Sequence, residues 1–288
     1  MTGIIDVGGG SRGIYGAGVF DRCIDEGITF DCCIGVSAGS ANIVSFLGGQ
    51  KGRNYLFYTE YAARKAYMSM RNFLHCGAYI DLNYVYGVLS NADGENPLNY
   101  EGIRKYDGII RIPATCEDGN CRYFTENDLA QDDYHAVSAS SSLPYVCQPC
   151  IVDGTRYFDG GISDPVPLQK ALDEGCDRVV LILTRPLDEP IRDEIDKACA
   201  AILKPHYPLL AAVLQQKAER YKQSIALAKR LEKTGVCRII APQSRCGVDT
   251  LSRNKRNLDA LYAAGYADAE KIRDFLFPTQ NSKAPSAS

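Results

Sequence analysis

The sequence predicts an α/β fold, a parallel sheet with helices on its faces, and three observations carry that expectation. The first fifty residues alternate short apolar runs with helix-like stretches in a βαβα order. Arg178–Thr184 (RVVLILT) is a β-branched, apolar run suited to the interior of a sheet. Hydrophobic residues make up 45% of the 288 and charged residues 23%, enough to bury a sizeable core in one large domain.

Gly3–Val7 reads as a short buried strand. A glycine loop follows, then a helix from about Gly13 to Glu26 that stops at Gly27. Asp31–Gly35 is a second strand, which runs through Val36–Gly39 into a helix of small residues ending near Gly48. Residues 51–106 hold eleven tyrosines and phenylalanines without a strand period, and are expected to form helical excursions and loops that wall or cover a pocket. Gly108–Thr115 and Arg122–Thr125 make a hairpin around Asp118-Gly119. Asp133–Ser142 is a helix that ends before Pro144. A second hairpin turns at Asp153-Gly154 and delivers Asp159 at its end.

From Leu209 to Leu231, apolar residues at 214, 218, 221, 225, 228 and 231 recur at spacings of three and four. This predicts one long helix, stopped by Gly235, whose stripe packs on the sheet or, in the alternative, lies on a membrane surface. A strand at Cys237–Ile240 and helices through Leu276 complete one domain over residues 1–280, with a disordered tail at 281–288.

Three motifs carry chemistry. Gly8-Gly9-Gly10-Ser11-Arg12-Gly13 lies between a strand and a helix. It is formally a dinucleotide fingerprint, but its backbone N–H groups suit any anion, including the oxyanion of acyl transfer. Gly35-Val36-Ser37-Ala38-Gly39 is a G-x-S-x-G on a strand-to-helix turn, where a Cβ at either flanking glycine would strike neighbouring backbone. The turn lifts Ser37 to the N-terminus of the next helix, whose partial positive charge favours an alkoxide. Asp159-Gly160-Gly161 ends a strand with two residues that permit close backbone approach. Taken singly, Ser37 could be a helix N-cap and Asp159 a turn residue, and Arg12 could orient the loop, meet a phosphate head group or form one half of an exposed salt bridge.

A nucleophilic serine needs a base. His75, His135 and His206 are the histidines, and none lies in a glycine-rich or strand-end context. His206 keeps the Ser…Asp…His order of α/β-hydrolases, yet in that fold the serine turn comes after several strands, not at residue 37 after one βα unit. That mismatch argues against a Ser–His–Asp triad. Among the twelve cysteines, Cys116 and Cys121 could face each other across a hairpin and join Cys147 and Cys150 in a zinc site, although unrelated core cysteines are the simpler reading.

The runs DVGGGSRG, GVSAG and SASSSLP, with FDGG beyond, closely resemble the patatin-like phospholipase family over about Ile4–Thr184. LSRNKRNLDALYAAGY at Leu251–Tyr266 is similar to a bacterial subgroup. The resemblance implies a three-layer α/β/α sandwich with a mostly parallel central sheet, and hydrolysis of lipid acyl esters by a Ser–Asp dyad. It implies Ser37 as nucleophile, Asp159 as base, and an oxyanion hole from Gly8 to Gly13 in which Gly9 and Gly10 donate. Asp-Gly-Gly stands where Asp-Gly-Ala is also accepted.

A net charge of −3 gives no case for nucleic acid as a partner. No basic, apolar leader and no long apolar run is evident, so a cytoplasmic protein is expected, with at most peripheral membrane contact. Neither a metal nor a cofactor is expected. Two other classes remain: an oxidoreductase using the glycine loop, against which Asp31 stands too early in its strand, and a scaffold without catalysis.

Overall fold

The computed structural model describes residues 1–278, so the tail expected at 281–288 lies outside the described residues. The strands are β1 (Thr2–Asp6), β2 (Cys32–Gly35), β3 (Ile109–Cys116), β4 (Cys121–Phe124), β5 (Cys150–Val152), β6 (Thr155–Asp159), β7 (Arg178–Ile182) and β8 (Cys237–Ile240). The first helices are α1 (Ile14–Asp25), α2 (Ala38–Leu47), α3 (Arg53–Thr59), α4 (Met70–Cys76), α5 (Tyr100–Arg104) and α6 (His135–Ser141). The remaining ones are α7 (Leu168–Asp173), α8 (Glu194–Leu203), α9 (Pro208–Gln215), α10 (Lys217–Lys233), α11 (Lys255–Asp268) and α12 (Glu270–Leu276).

One eight-stranded sheet runs β5-β6-β3-β2-β1-β7-β8, with β4 also on β3. The pairs from β3 through β2, β1 and β7 to β8 are parallel. The hairpins add antiparallel pairs at the other end. The sheet is mixed and mostly parallel, and the fold is α/β.

Strand alternation sorts the core into two layers. Ile4, Cys33, Val180, Ile182 and Ile240 point to one face, against side chains of α1, α2, α11 and α12. Ile5, Cys32, Ile34, Val179, Leu181 and Ile239 point to the other, against α7 and α10. Both faces are dry, which is why these strands read as apolar runs and not as alternating ones. Tyrosine–carboxylate hydrogen bonds clamp α11 on α1: Tyr15 donates to Asp268 at 2.8 Å and Tyr262 to Asp21 at 2.7 Å.

Two expectations need correction. The helix from 209 to 231 is broken at Gln216 into α9 and α10. Its apolar stripe does pack inward, with Leu214, Ala218, Ile225 and Ala228 buried. In the β3–β4 hairpin, Cys121 lies opposite Thr115, so Cys116 is one residue out of step and points to the other face. Those two thiols therefore cannot join one ligand set. Among the described residues no three His, Cys, Asp or Glu side chains are grouped to hold a metal, and no helix is long and apolar enough to cross a membrane.

Candidate active site

The glycine loop leaves β1 and the serine turn leaves β2, and because these strands are parallel neighbours both features sit at one edge of the sheet. Ser37 has φ 55° and ψ −127°, a left-handed φ that costs a side-chain-bearing residue about 1–3 kcal/mol. Tight bonding holds it there. Its N–H donates to Ser140 Oγ at 2.9 Å, and its carbonyl accepts from Ser40 Oγ at 2.6 Å. A Cβ on Gly39 would overlap the Asp6 carbonyl, and one on Gly35 would overlap Ser40, as expected of the glycines flanking the serine. Val36 between them is buried, while Ser37 and Ala38 are partly exposed at the start of α2.

Asp159 ends β6. Its N–H donates to the Ser142 carbonyl at 2.9 Å, and its Oδ1 accepts from the Gly161 N–H at 2.8 Å. A Cβ on Gly160 would overlap the Pro113 carbonyl of β3, so this residue has no room for a side chain. Asp159 is 7% exposed, and the Ser37 side chain lies near enough to act on its carboxyl. Burial raises its pKa above the usual carboxylate range, while the Ser37 hydroxyl, Lys217 and the Gly161 N–H pull it back. The two motifs, 122 residues apart in sequence, thus come together around one hydroxyl and one carboxyl.

In the loop, Gly8, Gly9 and Gly10 all have positive φ, at 63°, 123° and 61°, which only glycine adopts freely. The Gly8 N–H donates to Asp6 Oδ1 at 2.9 Å and the Ser11 N–H to the Thr250 carbonyl at 2.8 Å. That leaves Gly9 and Gly10 as the loop's unengaged donors among the described residues between 8 and 11. Arg12 turns its guanidinium toward Thr250 Oγ1 at 2.9 Å, and Gly13 ends the loop beside Tyr58 and Ala38.

Sequence reasoning missed the parts that hold these motifs together. Asp6 is fully buried at the end of β1. Its Oδ2 accepts from Asn42 Nδ2 of α2 at 2.8 Å, and the same nitrogen reaches the Gly13 carbonyl at 2.8 Å. Asn42 therefore ties both ends of the glycine loop to the helix that follows Ser37. Burial pushes the Asp6 carboxyl up to about 6, against the opposing bonds from Asn42 and Gly8. A charged residue inside the apolar strand GIIDV was the one available signal. Thr184 donates to the Gly8 carbonyl, and partly buried Tyr86, from the aromatic excursion, lies 3.5 Å from Ser141 Oγ and within the field of Asp159. Tyr86 thus brings the segment 51–106 close to Asp159.

The histidines sit elsewhere. His135 pairs with Asp133 at 2.6 Å, His75 meets the Arg71 carbonyl, and His206 is exposed; none is a partner of Asp159. Asp31 accepts from the Thr2 N–H at 2.6 Å, at the edge of the sheet opposite the loop, where no ribose on the loop could reach it.

A family model described as patatin-like phospholipase matches residues 7–172, and one described as a domain of unknown function matches residues 207–275. Relatives include the uncharacterized protein YjjU of Escherichia coli, 30% identical over 62% of this chain and 50% of that one. The lysophospholipase NTE1 of Candida albicans is 27% identical over 65% of this chain and 13% of its own length. The chain thus spans half of the first relative and a small part of the second. A solved structure, VipD from Legionella pneumophila, superposes with a TM-score of 0.49 at 14% identity, covering 95% of this chain and 66% of that one. The matched segment 7–172 is more than half of the chain and contains the glycine loop, the serine turn and Asp159-Gly160-Gly161, so the chain belongs to the patatin-like phospholipase family.

Proposed function

We propose that this protein is a serine acyl hydrolase that cleaves carboxylic esters of lipids through Ser37 and Asp159. The observation that carries the reading is the approach of the Ser37 hydroxyl to a buried carboxyl whose pKa is raised. A solvated carboxylate at about 3.9 is a poor base for an alcohol, and burial moves it in the useful direction.

In the first step Asp159 takes the Ser37 proton as Oγ bonds to the ester carbonyl carbon. The carbonyl π electrons move onto oxygen, and the N–H groups of Gly9 and Gly10 stabilise that oxyanion, at about 2.7–4 kcal/mol per donor. Collapse expels the alcohol, which leaves with the proton from Asp159, and Ser37 is acylated. Water then repeats the sequence, giving its proton to Asp159 and releasing the fatty acid and free Ser37. The lysophospholipase name of NTE1 supports a lipid ester with a polar head group as substrate class. The single domain over 1–280 is supported by the core that α1 and α11 share.

The test is hydrolysis of a panel of p-nitrophenyl acyl esters and lysophospholipids by wild type and Ser37→Ala. The variant is expected to lose at least ~10³-fold in turnover with its circular dichroism unchanged, because no second nucleophile is proposed. Retained activity in a clean preparation refutes the assignment.

A further inference from the structure

We propose that Arg12, Arg185 and Arg245 form a subsite for a phosphoryl group beside the glycine loop. Arg12 leaves the loop and folds back over it: a Cβ on Gly9 would lie 2.7 Å from Arg12 Nη2 and 2.9 Å from Thr184 Oγ1. Arg185 follows Thr184 directly, just past the end of β7. Arg245 comes from the segment after β8, five residues before the Thr250 whose hydroxyl meets Arg12 and whose carbonyl meets Ser11. Three separate stretches of chain thus bring guanidinium groups to one place.

The local charges do not balance. Glu189 bridges Arg185 at 3.0 Å and Arg245 at 3.1 Å, and Asp249 pairs with Arg245 at 2.6 Å. Arg12 has only the neutral Thr250 hydroxyl, and no carboxylate within ion-pair distance among the described residues. Two carboxylates therefore face three guanidinium groups. Burial lowers the Arg12 pKa, and the fields of Arg185 and Arg245 lower it further, against the opposite pull of Asp249 and Glu189.

A second observation is independent of charge. The Nε–H groups of Arg12 and Arg185 are both buried without an acceptor among the described residues. A buried donor in that state costs about 1–3 kcal/mol, and more when charged. A phosphoryl group brings several acceptor oxygens and the missing negative charge, and matches the planar fork of a guanidinium. Arg185 and Arg245 lie outside the segment 7–172 that places the chain in its family, and Arg245 lies within the segment 207–275 of unknown function. The subsite gives that second segment a role in recognition next to the site.

The phosphoryl group could belong to a lipid head group or to free phosphate, and the first of these rests on the ester-hydrolase reading. Calorimetric titration with inorganic phosphate tests the site itself, without turnover, on wild type, Ser37→Ala, Arg185→Gln and Arg245→Gln. Each variant is checked for folding by circular dichroism. Wild type and Ser37→Ala are expected to bind alike, and the glutamine variants about tenfold or more weaker, in line with a charge-assisted hydrogen bond. Kinetics on a lysophosphatidate and on p-nitrophenyl butyrate then separate the sources. For a head-group site, both glutamine variants raise KM for the lysophosphatidate alone, and phosphate competes with it. For a free-phosphate site, phosphate changes kcat on the neutral ester. The proposal is overturned if neither glutamine variant weakens phosphate binding or selectively raises KM for the phosphate-bearing ester. Loss of the hydrolase reading would appear separately, as hydrolysis that survives Ser37→Ala.

Discussion

Replacing Asp6 with asparagine keeps the shape of the side chain and removes its charge, and the structure sets both sides of the balance. Burial moves the Asp6 carboxyl from 3.8 up to about 6, so holding it ionised at neutral pH costs the fold on the order of 3 kcal/mol. Asparagine removes that cost. It also has one acceptor oxygen where Asp6 uses two, so either the Gly8 N–H loses its acceptor or Asn42 Nδ2 loses one of its two, at about 1–3 kcal/mol. The opposed effects nearly cancel, and urea denaturation at pH 7 is expected to show a change within about 2 kcal/mol in either direction.

Activity has no such compensation. Gly8 is next to the loop donors, and a loop that shifts forfeits part of the ~2.7–4 kcal/mol that an oxyanion donor supplies, so kcat on a soluble ester is expected to fall about tenfold to a hundredfold. The pH dependence gives a second readout. The folded chain holds the Asp6 proton more tightly than the unfolded chain. Its contribution to stability is therefore full below pH 3.8 and is lost as the pH rises through about 6, a slope that vanishes in Asp6→Asn. Asn42 and the Tyr58 phenol share this pocket, and the phenol stays neutral because burial raises its pKa well above the ordinary value. A folded Asp6→Asn enzyme with wild-type kcat would refute the positioning role, as would a variant that loses far more than 2 kcal/mol while its remaining folded fraction turns over normally.

Asp159→Asn keeps the volume of the side chain and loses the proton acceptor, so turnover is expected to fall by ~10³-fold or more, and the Ser37→Ala/Asp159→Asn double variant should be little worse than either single one. Losses that multiply in full would show that the two residues act separately. Gly10→Val places a branched side chain at φ 61° against the Thr250 carbonyl, and in steady-state kinetics it should lower kcat more than it raises KM. An effect on KM alone would reduce the loop to a wall of the pocket. Changing His75, His135 and His206 together to glutamine should leave most of the turnover, as measured on protein checked by circular dichroism; a folded but inactive single variant would restore a histidine base.

Local patterns made most of the sheet readable. The apolar runs at β1, β2 and β7 lie within a residue or two of their expected ends because both faces of those strands are buried. The β3–β4 hairpin was readable but its register was not, since Asp118-Gly119 fixes a turn without fixing how many residues precede it. One position of slip separates Cys116 from Cys121 across the sheet. The break at Gln216 left no trace in the sequence, because the residues around it are good helix formers and the stripe continues through it in near register.

The site was legible where backbone geometry demands particular residues, and hidden where side chains from distant segments do the holding. Glycines mark the loop and the serine turn because their Cβ atoms would strike backbone, and that constraint is written locally. Asn42 and Ser140 look like ordinary small polar residues on helices, yet Asn42 ties the loop to α2 and Ser140 pins the N–H of the strained Ser37. Asp159 belongs to both classes: Gly160 announces it, but only the sheet order explains why it reaches Ser37. β3 pairs with β2 through Ile109–Arg111 and with β6 through Ala114–Cys116, so one continuous strand carries the position of the serine turn across to the carboxyl. The distance between Ser37 and Asp159 is thus set by the rise of β3, a largely buried element that contributes no residue to the proposed dyad. Such an element is more rigid than the loops at its ends, which suits a reaction that needs its hydroxyl and carboxyl held in place before the ester arrives.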